Sequence, residues 1–202
     1  MDLRVFDRRA LDLAGGVVAA VGPDDLTRPT PCPPWTVADL LRHLVSQNLR
    51  FAAAAAGADP ELACPLDGGD LGTDPARAYL DSAQAVTDAF AAPGLDRRRV
   101  VLPELSEPVP GARAVAFHFV DYLVHAWDVA VAVGAPLDPP DDLTETALGL
   151  AERIPDGPPT RGPGAAFGSR IVVPTTAPAY HRLLGLVGRD PEWSPLHGRA
   201  GR

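Results

Sequence analysis

The sequence predicts an all-α protein: a four-helix bundle with additional short helices and Pro/Gly-rich loops. Three observations carry this. Apolar residues recur at helical spacing in five or six segments, and the 23 prolines and 19 glycines concentrate between those segments. No alternation of strands with helices, and no repeat at a fixed period, is present. Because proline inside a helix costs about 3 kcal/mol, its positions mark the connections. An up-and-down bundle is the economical architecture for such a pattern.

The first segment covers about 3–21, with an apolar stripe of Val5, Leu11, Leu13, Val17 and Val18, and ends at Gly22-Pro23. A turn-rich stretch runs from Thr27 to Trp35. The next helix has the clearest start: Thr36 can accept from the backbone N–H of Asp39, whose carboxylate suits both the cap and the helix dipole. Val37, Leu40, Leu41, Leu44 and Val45 then repeat at helical spacing towards Gly57. A third helix is expected over 75–90, with proline in its first turn. Val100-Val101-Leu102 is an extended loop or an edge strand at most. The longest apolar periodic segment covers about 112–133 and stops at Gly134. A fifth helix spans 141–153, and a short last one 177–187. Between them, seven prolines and glycines at 155–164 predict a loop without regular structure.

A chain of 202 residues suits one domain over 1–202, with a C-terminal extension from about 154 packing on the bundle. The net charge of −8, with no dense Lys/Arg run, makes nucleic acid and anionic membranes poor partners. Neither a secretory signal nor an 18-residue apolar run stands out, so no membrane association and a cytoplasmic location are the default expectation. Cys32 and Cys64, 32 positions apart and without a CxxC pattern, do not suggest a disulfide framework. Oligomeric state is open, and a homodimer is compatible with the sequence.

Chemistry concentrates in the 112–133 segment. Asp121 and His125 are four apart, so both project from one helical face and can grip one metal ion, as the two histidines of HExxH do. Alone, a DxxxH pair is weak evidence. Here Phe117, Phe119, Val120, Leu123, Val124, Trp127 and Val129 surround it, and a carboxylate on so apolar a helix is costly to bury unless paired or coordinated. His118, Asp121, His125 and Asp128 recur at spacings of three, four and three, forming a polar stripe with no Lys, Arg or Glu. His118 is the candidate proton-transfer group of this stripe, with an outer hydrogen-bonding role or a fourth ligand position as the alternatives. His43, among Leu40, Leu41, Leu44 and Val45, is a candidate third ligand, although a lone histidine in such surroundings is more commonly a hydrogen-bonded core residue. Three protein ligands would leave coordination positions open, as in catalytic sites. Nothing in the spacing alone brings His43 to the Asp121/His125 helix.

Three separated motifs supply that link. The stretch from Pro29-Thr30-Pro31-Cys32 through Trp35 and Val37 to His43 resembles the opening of actinobacterial metal-binding proteins of the mycothiol-dependent maleylpyruvate isomerase group, in the DinB-like superfamily. Asp121-Tyr122-Leu123-Val124-His125-Ala126-Trp127-Asp128-Val129-Ala130 is similar to its second motif. Gly188-Arg189-Asp190-Pro191-Glu192-Trp193 is similar to its close. The resemblance implies a DinB-like bundle holding one divalent metal, zinc above all, through His43, Asp121 and His125, with mycothiol as the thiol partner. Such a ligand set also accepts Ni, Fe, Mn or Co. Two departures stand out. The full isomerase carries a further C-terminal domain for which this chain is expected to lack room, and His118 has no fixed counterpart in the group.

Three functional classes follow. The first is a metal-dependent thiol transferase or isomerase acting on a small molecule, with His118 moving a proton. The second is a thiol-independent tailoring enzyme (cyclase, hydrolase or isomerase). The third is a non-catalytic metal-binding protein. Cys32 reads as a packing residue, Trp35 and Trp127 as core or pocket wall, and His181 and His197 as structural or exposed. Arg189 and Asp190 are expected to tie down the C-terminal tail.

Overall fold

A computed structural model describes residues 2–102, 107–158, 160–162 and 167–195. Helix α1 (Leu3–Val18) starts where the Asp2 carboxylate accepts from the Arg4 N–H, and it buries Ala10, Leu11, Ala14, Val17 and Val18 along one stripe. It stops three residues before the expected end, because Ala20 and Val21 bond back to Val17 and Val18 in a tightened i→i−3 turn.

Helix α2 (Val37–Ala56) opens with a reciprocal capping box. The Thr36 hydroxyl accepts from the Asp39 N–H at 3.3 Å, while Asp39 accepts from the Thr36 N–H at 3.0 Å and its hydroxyl at 2.7 Å. These Thr36 bonds, side chain first, hold the Asp39 carboxyl below its ordinary range. Thr36→Ala should therefore lower stability by about 1 kcal/mol in urea unfolding. A depressed folded pKa means that this contribution is fully present above the ordinary value of 3.8 and fades as pH falls through the lower, folded one. The wild-type advantage over Thr36→Ala should thus shrink below pH 4, and a difference independent of pH would contradict the assignment.

A one-turn helix, α3 (Pro60–Ala63), follows; periodicity could not reveal it because four residues hold no period. Helix α4 (Pro75–Phe90) matches its expected bounds. Strands β1 (Arg99–Val100) and β2 (Val109–Pro110) form a two-residue antiparallel pair leading into α5 (Gly111–Val133). Helices α6 (Asp141–Ala151) and α7 (Ala179–Leu186) complete the chain. The last turn predicted for α6 is again i→i−3 bonded, through Arg153 and Ile154. Helix α7 begins only after Pro178, which takes the cap position.

Helix α1 lies along α5 and α2 along α4, while α1–α4 and α2–α5 contacts close a four-helix ring; α7 packs on α6. Leu40, Leu41, Leu44, Phe119, Leu123 and Val129 are essentially solvent-free in its core. Each such side chain contributes about 1.5–3 kcal/mol relative to exposure. Helix α5 does contain an 18-residue window apolar enough for a membrane span, and 78% of that window is buried inside the bundle. Its composition is that of a helix surrounded by others. Cys32 and Cys64 are both free thiols.

Candidate metal centre

Helices α2 and α5 bring His43, Asp121 and His125 together: one donor atom from each lies within 4.8 Å of the others. The His125 Nε2 stands 3.4 Å from the Asp121 Oδ1, and the His43 and His125 rings meet edge-on with centroids 5.0 Å apart. Asp121 keeps 40% of its side chain exposed while His125 keeps 7%, so the group sits at the bundle wall with one side towards solvent.

The other ring nitrogens are already committed. His43 Nδ1 donates to Asp67 Oδ1 at 2.6 Å, and His125 Nδ1 donates to Asp128 Oδ2 at 2.8 Å. Both histidines are thereby fixed with Nε2 as the remaining donor atom. Two imidazoles oriented by outer carboxylates, plus a third carboxylate, form a donor set that suits a divalent transition metal. Trp35 closes one flank, its ring 4.7 Å from that of His43. It reaches this place from a loop pinned by the Thr30 hydroxyl, which donates to the Trp35 carbonyl and accepts from the Cys32 N–H.

Electrostatics are lopsided. Burial works against ionising Asp121, but His125, then His43 and His118, hold its carboxyl well below the usual range. Burial likewise works against charging His125, yet Asp121, Asp128 and Cys32 raise its pKa well above the ordinary value. Asp128 is fully buried and faces the guanidinium of Arg189, with Nε–Oδ1 and Nη2–Oδ2 both at 3.1 Å. Burial opposes ionisation there too, but Arg189 and then His125 bring Asp128 down to about 2.

Cys32, His125 and Asp128 form a second group with donor atoms within 4.8 Å. Its cation is already supplied by the protein, since Arg189 Nη2 lies 3.0 Å from the Cys32 Sγ as well as 3.1 Å from Asp128. The thiol donates to Asp128 at 3.1 Å, and burial and then the Asp128 charge push its pKa up. Cys32 is therefore held as a neutral thiol, and Arg189 anchors the segment after α7 as the sequence suggests. Gly188 makes this turn feasible: its φ is +81°, and a Cβ would come within 2.7 Å of the Gly168 Cα.

His118, the expected proton-transfer group, lies elsewhere. It is fully buried; Nδ1 meets Asp7 Oδ1 at 2.7 Å, Nε2 meets Asn48 Oδ1 at 3.2 Å, and the ring stacks on Tyr122 with centroids 4.2 Å apart. The stripe His118–Asp121–His125–Asp128 does share one face of α5, but ten residues of helix span about 15 Å. The face is consequently divided among three environments: Asp7 and Asn48, the candidate centre, and Arg189 with Cys32. Sequence reasoning did not find Asp67, Asp7 or Asn48 as partners. His181 lies in α7, and His197 falls outside the described residues.

A helical bundle that gathers two imidazoles and a carboxylate from two helices defines a class of metal-site proteins, and comparison makes the family specific. The family model of the mycothiol maleylpyruvate isomerase N-terminal domain matches residues 8–130, and the chain belongs to that family, with its all-α, DinB-like fold. Two proteins of Mycobacterium tuberculosis described as uncharacterized, from strains CDC 1551 / Oshkosh and H37Rv, are each 34% identical to it over 189 residues, covering 94% of this chain and 98% of theirs. No solved structure matches the chain.

Proposed function

We propose that the protein is a metal-dependent transferase or isomerase that uses a low-molecular-weight thiol, mycothiol, on a small-molecule substrate. The observation that carries this reading is the convergence of His43, Asp121 and His125 on one point that is partly open to solvent, in a family defined on a mycothiol enzyme. Zinc suits this ligand set best, and Ni, Fe, Mn and Co are accepted by the same donors. A divalent ion held there would supply Lewis acidity towards a carbonyl oxygen and stabilise a thiol as its thiolate.

The chain's own residues do the rest. Asp67 and Asp128 hold the two imidazoles by their Nδ1 atoms, so that neither has to reorient when a ligand arrives. Asp121 brings a carboxylate that stays ionised at neutral pH. Trp35 provides an apolar wall that excludes water beside His43. His118 receives no proton-transfer role in this reading, because both of its nitrogens are engaged in the core.

Zinc-loaded protein is expected to form a thioether adduct, or to turn over, when mycothiol and an electrophilic unsaturated carbonyl compound are supplied together. Thiol consumption and product mass report the outcome. Complete retention of free thiol across a panel of such electrophiles, with zinc demonstrably bound, would remove the thiol from the mechanism.

A further inference from the structure

The two carboxylates that hold the candidate histidines differ in origin. Asp128 sits on the same helix as His125, one turn on, and its position follows from helical geometry. Asp67 comes from the irregular segment between α3 and α4, 24 residues from His43. That segment is fastened to α2 in a way its sequence alone does not require. The Ser46 hydroxyl donates to the Pro65 carbonyl at 2.8 Å, and Arg50 Nη1 donates to the Cys64 carbonyl at 3.0 Å. Gly69 lies flat against the helix: a Cβ there would fall 2.3 Å from the Arg42 carbonyl oxygen and 2.8 Å from the Val45 Cβ. Among the described residues, Asp67 is also the only non-glycine with positive φ, at +57°. Asp and Asn tolerate that conformation better than most residues. The backbone thus adopts an uncommon geometry that aims one carboxylate at His43 Nδ1.

We propose that Asp67 is a positioning residue of the metal centre. Its Oδ1 accepts the Nδ1 proton of His43, fixing the ring's tautomer and orientation with Nε2 towards Asp121 and His125, and the loop fastened through Ser46, Arg50 and Gly69 keeps it there. The inference rests on the ligand set proposed above. It adds a residue that touches neither ion nor substrate and acts through His43.

Cobalt(II) titration, read by its visible d–d absorption and by chelator competition, tests this on the full chain. Asp67→Gly removes the carboxylate while allowing the same φ. It should weaken cobalt binding about 10–100-fold and shift the d–d band as His43 becomes free to turn. Asp67→Asn retains an acceptor oxygen and tolerates the same backbone, so it should recover most of the affinity and the wild-type band. Gly69→Ala keeps the Asp67 side chain but forces its loop off α2, and it should reproduce the Asp67→Gly behaviour. Melting of each metal-free variant separates these effects from loss of folding. Wild-type affinity together with an unchanged band in Asp67→Gly would overturn the inference and leave the ligand set standing. Failure of the wild type to bind cobalt, or undiminished binding by His43→Ala, would overturn the ligand set and this inference with it.

Discussion

Replacing either imidazole of the centre is expected to empty it. Elemental analysis of His43→Ala and His125→Ala, purified beside the wild type, should show metal falling from about one ion per chain to background, as loss of one of three protein ligands implies. Affinity should drop by more than the roughly 100-fold that loss of an outer partner causes, because a donor atom itself is gone. The two variants should then differ in stability. His43 is partly exposed at the wall, beside Trp35 and Asp67. His125 is buried and bonded to Asp128, so its removal also leaves a cavity and takes away one partner of an interior carboxylate. Metal retained at full stoichiometry in both variants would refute the ligand assignment.

The largest effect on stability is expected from Arg189→Met. Asp128 has no solvent exposure, and Arg189 is the stronger of the two basic partners that face it, His125 being the other. Removing the stronger partner leaves the interior charge balanced by His125 alone; breaking a buried pair costs roughly 3–5 kcal/mol, a large part of a typical domain's total stability. The double variant Arg189→Met/Asp128→Asn removes the stranded charge and should regain much of that loss. Acid gives an independent check. With Asp128 lowered from 3.8 to about 2 in the folded state, the pair's contribution is complete above the ordinary value and declines as pH falls towards 2. The wild-type advantage over Arg189→Met should decline over the same interval. Equal urea midpoints for wild type and Arg189→Met at neutral pH would show that the pair contributes nothing to stability.

What the sequence revealed, and what it did not, divides along a physical line. Long helices were legible because burial along a cylinder imposes a period, and the start of α2 was legible because a capping box is a local pattern of four residues. The Asp121/His125 geometry follows from the same period. Three other features have no such signature. The link from His43 to α5 is a tertiary contact that only the family motif anticipated. Asp67 and Arg189 approach along irregular segments from 24 and 61 residues away, where no repeat relates donor to acceptor. His118 shows the converse: the period correctly put it on the face of Asp121 and His125, but its nitrogens are taken up by Asp7 and Asn48, so sharing a face is not sharing a site. Its partner Asp7, 111 residues away, could not be read from α5 at all.

The Arg189 clamp also bears on where this polypeptide can be cut. The stretch that the family model matches, residues 8–130, begins just after Asp7 and ends well before Arg189. A fragment trimmed to those limits would keep every proposed ligand yet lose the carboxylate that holds His118, the guanidinium that balances Asp128, and the Tyr180 hydroxyl bonded to the Leu123 carbonyl. His118 and Asp128, both in the bundle interior, would each lose a charged partner and keep only one other, Asn48 and His125 respectively. The unit that the family model delineates is shorter than the unit that holds the partners of its own interior charges.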